Sequence, residues 1–274
     1  MGNIKLYISI IIAIVLCSCE FDPLDFIRTT YDVDKRTADS IKKNEQNPVL
    51  NITTTSDNYS FIIASDLHLH TDEVMMPEFF SMASNSDASF VVINGDIYNS
   101  KSEFASFAKD QFDNFNAKPC YFVAGNHDIY FDWKLYLDNF GSSTYSFKVQ
   151  TPTTQDLYIT LESSSATLGK TQLDWLKEQL NTRNQYRYCI IVTHVNFFPQ
   201  QVNNGIYQQE ELHVLFKLFS DNNVNAVITG HSHDTNNKKV LNVNYWTTDA
   251  LKNNNYGIVY IKSENINIDF LKLD

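Results

Sequence analysis

One device recurs five times along this chain: a short apolar run that stops at a residue able to hold a metal or move a proton. Phe61-Ile62-Ile63-Ala64 leads to Asp66 and His68, and Phe90-Val91-Val92-Ile93 leads to Asp96. Tyr121-Phe122-Val123-Ala124-Gly125 leads to Asn126-His127-Asp128, Tyr188-Cys189-Ile190-Ile191-Val192 to His194, and Ala226-Val227-Ile228 to His231 and His233. Runs of this length and composition, bounded by turn residues, read as strands buried on both faces. Between them lie helical patterns. Pro77 opens a helix through about Ser84, and Phe104, Phe107, Ala108, Phe112 and Phe115 keep a helical period. A capping-box arrangement at Thr171 and Asp174 opens a helix with Leu173, Leu176 and Leu180 inward, and another packs through Leu212, Leu215, Phe216 and Phe219. Alternating strands and helices, with reactive groups at the strand ends, predict an α/β fold whose site collects along one sheet edge. Tyr145-Ser146-Phe147-Lys148-Val149 and Leu157-Tyr158-Ile159-Thr160-Leu161 read as an antiparallel pair, and residues 240–273 as a meander closing a second sheet.

The strand-end groups are chemically uniform. Asp66 and His68 stand two apart, so on extended backbone they point the same way, as do His231 and His233. Five of the seven histidines fall at strand ends, whereas a single histidine there is more often structural. The donors are nitrogen and oxygen only, which suits Mn, Fe, Zn or Mg. They are too many for one ion and about right for two bridged by a carboxylate. His70 is expected to lie beyond the site and His213 to be an ordinary surface histidine. The net charge of −11 disfavours a phosphate backbone as partner, so no nucleic acid is expected. Cys120 and Cys189 sit in apolar runs and read as core thiols.

The N-terminus has a separate logic. Lys5 precedes an apolar stretch over residues 6–16 and then Leu16-Cys17-Ser18-Cys19, a secretory signal too short for a comfortable membrane span. Its end resembles a bacterial lipobox, which implies that residues 1–18 are a signal peptide and that Cys19 is lipidated. The location implied is the bacterial cell envelope, lipid-anchored to a membrane and facing the periplasm or cell surface; an uncleaved anchor or simple secretion are the alternatives. Residues 19–58 are polar without a sustained apolar period and read as a tether with a short helix around residues 35–43, leaving residues 59–274 as the catalytic domain.

Taken in order, Asp66-Leu67-His68, Gly95-Asp96, Gly125-Asn126-His127-Asp128, His194 and Gly230-His231-Ser232-His233 resemble the motif series of the calcineurin-like metallophosphoesterases. That resemblance implies a two-sheet α/β/β/α sandwich and two divalent metal ions. It implies that Asp66, His68 and His233 hold one ion, that Asp96 bridges, and that Asn126, His194 and His231 hold the other. His127 would be catalytic without being a ligand, stabilising or protonating the departing oxygen while a metal-bridging hydroxide attacks phosphorus. Protein phosphatases of the superfamily carry an Asp-Arg pair after the bridging Asp and a Glu after the Asn-His. Here Tyr98-Asn99 and Asp128 occur instead, which leaves the group that orients His127 open. The purple acid phosphatases need a Tyr three residues after the bridging Asp and lack the first His, unlike this chain. The chain is more similar to the cyclic-nucleotide and glycerophosphodiester phosphodiesterases, including the helix segment Gln172-Leu173-Asp174-Trp175-Leu176, although Val195 stands where that branch often has a second His.

The activity implied is a dinuclear metal-dependent phosphoesterase acting on small phosphodiesters or phosphomonoesters. A catalytically silent metal- or ligand-binding surface lipoprotein and a nuclease of the same fold are the rivals. Tyr98, Tyr130, Trp133 and the loop over residues 195–209 are candidates for substrate selection, or for packing.

Overall fold

Side-chain parity along the strands decides the layering. In β2 (Tyr59–Ala64) Phe61 and Ile63 face one way, Ile62 and Ala64 the other, and all four are fully buried. Val91 and Ile93 of β3 (Val91–Asn94) oppose Val92 in the same manner. A sheet apolar on both faces needs a layer on each side. The computed structural model, which describes residues 33–71, 75–130, 132–198 and 207–273, shows both layers. The signal segment, Cys19 and the tether as far as residue 32 lie outside the described residues, as do residues 199–206 of the predicted substrate loop.

On one side, Phe61, Ile63, Val92, Tyr121 and Val123 meet Phe147, Val149, Tyr158, Ile190, Val192 and Ile228 in a core between two sheets. The first sheet has five strands in the order β12-β11-β2-β3-β4, with β4 (Cys120–Val123), β11 (Asn255–Ile261) and β12 (Ile266–Lys272). The second contains β1 (Ile52–Thr53), β5 (Tyr145–Gln150), β6 (Gln155–Leu161), β7 (Cys189–Thr193), β8 (Ala226–Thr229), β9 (Asn236–Val240) and β10 (Val243–Thr247), in the order β1-β5-β6-β7-β8-β10-β9. Strands β2, β3 and β4 are parallel to one another, as are β6, β7 and β8, and β5 pairs antiparallel with β6 as expected.

Outside the first sheet lie α2 (Met75–Asn85), α3 (Ser102–Asn114) and α5 (Trp133–Asn139), which bury Met76, Phe79, Phe104, Ala108, Phe112, Trp133 and Tyr136. Outside the second lie α6 (Gly169–Leu180) and α7 (Gln209–Asp221), through Leu176, Leu180, Leu215 and Phe219. The result is the α/β/β/α sandwich. Cys120 and Cys189 are free, and burial raises both thiols to about 12, so neither is a reactive thiolate.

Three expectations need correction. Residues 240–273 do not close a single sheet: β10 lies parallel to β8 in the seven-stranded sheet, whereas β11 and β12 form a hairpin on β2 in the other. The chain crosses between the sheets where Ala250 bridges Ser65 and Leu251 N–H donates to the Ser65 carbonyl. Second, residues 33–58 are not tether. They form α1 (Val33–Gln46) and β1, which pairs with β5, and residues 32–274 are one compact unit. The face α1 buries is polar: Arg36, Thr37 and Ser40 are fully covered. Arg36 donates to Glu162 at 3.0 Å, and Ser40 Oγ accepts the backbone N–H groups of Ser143 and Thr144 at 2.8 Å each. Third, the first turn of α6 is not capped by its own Thr171. No side chain of its own caps that end, and Asp34 of α1 accepts the Thr171 N–H at 2.6 Å.

Candidate metal centre

All five reactive turns lie at the carboxyl ends of parallel strands, three from the first sheet and two from the second, where the sheets meet. Cross-sheet hydrogen bonds join them there: Asn94 Nδ2 donates to the Thr193 carbonyl at 3.1 Å, and His194 Nδ1 to the Asn94 carbonyl at 2.8 Å. The second bond fixes the imidazole so that Nε2 faces inward. Beyond the strands the turns knit to each other, with Asp66 N–H on the Gly95 carbonyl at 2.9 Å and His68 N–H on the Asp96 carbonyl at 2.8 Å. Space is tight: a Cβ on Gly125 would fall 2.2 Å from Asp96 Oδ1, and one on Gly95 2.3 Å from His194 Nδ1. Only a residue without a side chain lets these turns approach so closely.

The backbone at the site is strained. Asp66, His68, Asp96, His231 and His233 all adopt positive φ, between 48° and 70°. Such conformations cost about 1–3 kcal/mol each in residues other than glycine and persist only where their surroundings enforce them. Here they swing each side chain back over its strand end toward a common centre.

Every expected imidazole and carboxylate ligand falls into at least one of three tight groups: Asp66, His68 and His233; His68, Asp96 and His127; and Asp96, His194 and His231, with donor atoms within 4.8 Å of one another in each. His233 Nε2 lies 3.2 Å from Asp66 Oδ1 and 3.3 Å from His68 Nε2, and Asp96 Oδ2 lies 3.4 Å from His194 Nε2 and 3.7 Å from His68 Nε2. Asp96 therefore belongs to groups on both sides of the cluster. The two carboxylates are divided in the same manner. Asp66 Oδ2 accepts the His231 N–H at 2.9 Å and Asp96 Oδ1 the His127 N–H at 2.8 Å, leaving Asp66 Oδ1 and Asp96 Oδ2 toward the imidazoles. Asn126 opens the short α4 (Asn126–Ile129) directly after Gly125, with its Nδ2 on the Tyr130 hydroxyl at 2.5 Å.

Whether two divalent ions fit is decided by the atoms left over. Asp66 Oδ1, Asn126 Oδ1, His194 Nε2 and His231 Nε2 are buried and make no well-formed hydrogen bond, the first and third having only His233 Nε2 at 3.2 Å and Asp96 Oδ2 at 3.4 Å in poor alignment. Orphaned polar atoms of this kind carry a desolvation penalty that a cation would relieve, and the donor set is the one that such ions take. The protonation states agree for most of the set. Burial is the largest influence on His68 and His231 and lowers them to about 3 and about 4, so both are neutral with a lone pair to give. Burial alone would raise Asp66 and Asp96, but the neighbouring imidazoles, His194 foremost, outweigh it and hold both below the usual carboxylate range. His194 is the exception. Burial opposes its charge, yet Asp96 and Asp66 push it up to about 10, so without metal a proton sits where an ion would bind.

The group that orients His127 is Asn99. Its Oδ1 lies 3.1 Å from His127 Nδ1, filling as an amide the place for which a carboxylate was sought. The available signal was its spacing, three residues past Asp96, which brings it back across the turn. Asp128 braces the backbone instead. Its carboxylate accepts the N–H groups of Ile97, Tyr98 and Gly125, clasping the second and third turns together, and burial with the Asp96 charge pushes it up to about 8. Of the candidates for substrate selection, Tyr98 and Trp133 are core residues, 1% and 3% exposed, and Tyr98 donates its hydroxyl to the Asp128 carbonyl. Phe197 and Tyr207 likewise pack with Phe219 in the outer core. Among the described candidates Tyr130 stands beside the site, its ring 4.9 Å from that of His127.

Comparison with known proteins gives a consistent picture. The family pattern described as calcineurin-like phosphoesterase matches residues 59–235. A comparison with curated protein sequences gives no match. Among solved structures, a dimetal phosphatase from Danio rerio superposes with a TM-score of 0.62 at 12% identity, covering 79% of this chain and 99% of that one. GAP50, the anchor in the inner membrane complex of Plasmodium, does so with a TM-score of 0.64 at 12% identity, over 79% and 85% of the two chains. A putative 5'-nucleotidase from Staphylococcus aureus has a TM-score of 0.56 at 15% identity, over 79% of this chain and 54% of that one. At these identities the superpositions speak for the fold.

Proposed function

Because the chain belongs to the calcineurin-like phosphoesterase family and is a metallophosphoesterase, we propose that it hydrolyses small phosphodiesters or phosphomonoesters at a two-metal centre held by Asp66, His68, Asp96, Asn126, His194, His231 and His233. The observation that carries this reading is the set of buried donor atoms on Asp66, Asn126, His194 and His231 that lack a well-formed hydrogen bond. When bound, two divalent cations supply Lewis acidity, lowering the pKa of water and offsetting charge on the phosphoryl oxygens. The chain's own part is to hold and orient. His194 Nδ1 is tied to Asn94, and the two carboxylates are fixed by backbone N–H groups, so the donors keep their directions without reorganising. His127 stands beside His68 and Asp96 with Nδ1–H toward Asn99, so Nε2 is left to take up a proton from solvent and, as imidazolium, to hand it to the departing oxygen. The reading extends to a lipid anchor at Cys19 that keeps the domain at a bacterial envelope membrane, supported by the sequence Leu16-Cys17-Ser18-Cys19.

Purified protein reconstituted with Mn is assayed on bis-nitrophenyl phosphate, nitrophenyl phosphate and DNA, with metal content measured for each variant. Asp96→Ala is expected to lose metal and activity together. His127→Ala should keep its metal and slow turnover by about 10²–10⁴-fold. Metal retained in Asp96→Ala, or an unchanged rate in His127→Ala, would refute the assignment of these roles.

A further inference from the structure

The contact that holds His127 is an amide, and an amide has two ends. Asn99 Oδ1 can accept only from a protonated Nδ1; if the amide is turned over, Nδ2–H faces that nitrogen and favours the opposite tautomer. The tautomer of His127 therefore depends on whatever keeps Asn99 from flipping. A carboxylate in the same place would need no such control, because its oxygens are equivalent.

A second histidine stands at the other end. His70 Nε2 lies 3.4 Å from Asn99 Nδ2. The two residues are brought together by a short backbone ladder past the strand ends: Leu69 pairs with Tyr98, Leu69 N–H donates to the Ile97 carbonyl at 3.0 Å, and Asn99 N–H to the Leu69 carbonyl at 3.3 Å. The His70 ring is steadied by Phe104 of α3, with centroids 4.7 Å apart at 61°. An unprotonated Nε2 accepts and cannot donate, so it pairs with the NH₂ end of Asn99 and turns the oxygen toward His127.

We infer that His70 is a positioning residue: by accepting from Asn99 Nδ2 it locks the amide, which in turn keeps hydrogen on His127 Nδ1, both in the neutral ring, where Nε2 is a bare lone pair, and in the imidazolium that forms when Nε2 takes up the proton it later gives away. The consequence for turnover rests on the phosphoesterase reading above; the tautomer lock itself does not.

The test uses His70→Ala, Asn99→Asp and the double variant. In metal-free protein labelled with ¹⁵N-histidine, long-range ¹H–¹⁵N spectra should show His127 with hydrogen on Nδ1 in the wild type and a mixture of tautomers in His70→Ala. The single tautomer should return in Asn99→Asp/His70→Ala, where no amide remains to flip. With Mn bound, His70→Ala should lower kcat about two- to tenfold, the worth of one modest hydrogen bond, with KM and metal content unchanged. The loss should be greater on an alkyl phosphate ester than on a nitrophenyl ester, because the poorer leaving group depends more on the proton. In the Asn99→Asp background the His70 substitution should cost nothing further. A His127 tautomer indifferent to His70, or equal losses in both backgrounds, would overturn the lock. A wild type inert toward every phosphate ester would remove the hydrolase reading while leaving the spectra to decide the lock.

Discussion

Replacing Arg36 tests whether α1 is a structural part of the domain. Its guanidinium and the Glu162 carboxylate are both completely buried, with Nε 3.0 Å from Oε2, and a second nitrogen donates to Ser165 Oγ at 2.9 Å. Arg36→Met keeps most of the volume and removes the charge. The Ser164 N–H still reaches Glu162 Oε1 at 2.7 Å, but the carboxylate is left buried without its cation. Removing one member of a buried pair costs about 3–5 kcal/mol. For a folding unit of this size that is a fall in Tm of roughly 6–20 °C, at about 2–4 °C per kcal/mol. Arg36→Met/Glu162→Gln, which also removes the stranded charge, should recover much of the loss. The assay is urea and thermal unfolding of the three proteins beside wild type. A single variant within about 1 kcal/mol of wild type, or a double variant worse than the single, would refute the reasoning. The strut matters to the site, because Ser163 Oγ accepts the Val195 N–H beside His194, and Ser164 Oγ donates to the Ala124 carbonyl two residues before Asn126. A chain begun at residue 59 loses Arg36, Ser40 and the Asp34 cap together, and should be less stable still.

Metal binding should release a proton from His194, which the Asp96 and Asp66 carboxylates hold protonated until about pH 10 against the cost of burial. Below that pH, apparent Mn affinity should rise by up to about tenfold per pH unit, levelling above it; affinity flat between about pH 6.5 and 8.5 in calorimetric titrations would contradict this. Gly125→Ala places a methyl 2.2 Å from Asp96 Oδ1, so it should deplete bound metal while lowering stability by only about 1–3 kcal/mol. Full metal occupancy in that variant, read by elemental analysis, would show that the close approach of the two turns is dispensable.

The parts of this molecule that were legible in its sequence share a cause. Strands β2, β3, β4, β7 and β8 are apolar on both faces, so hydropathy alone marks them, and each ends in residues whose chemistry narrows their use. Asp66, His68, Asp96, His194, His231 and His233 are recognisable because few residue types can bind a metal. What was not legible acts through hydrogen bonds on otherwise undistinguished positions. Helix α1 gives no apolar stripe because its buried face is Arg36, Thr37 and Ser40, and its partners are more than 100 residues away at Ser142 and Glu162. Asn99 is 28 residues from the His127 it faces, and apart from its place three residues past Asp96 nothing in an Ile-Tyr-Asn-Ser turn distinguishes that amide from an ordinary turn residue. Substrate selection and packing were both open for Tyr98 and Trp133, and packing holds; the choice was not legible for the converse reason, since an aromatic beside a motif looks the same in sequence whether it lines a pocket or packs beneath one. The asymmetry is physical. A ligand must be one of a few chemical types and can be read from its letter. A group that orients a ligand need only place one acceptor or donor atom correctly, and many side chains or a backbone carbonyl can do so. Such groups become visible only once the folded chain brings their atoms within hydrogen-bonding reach.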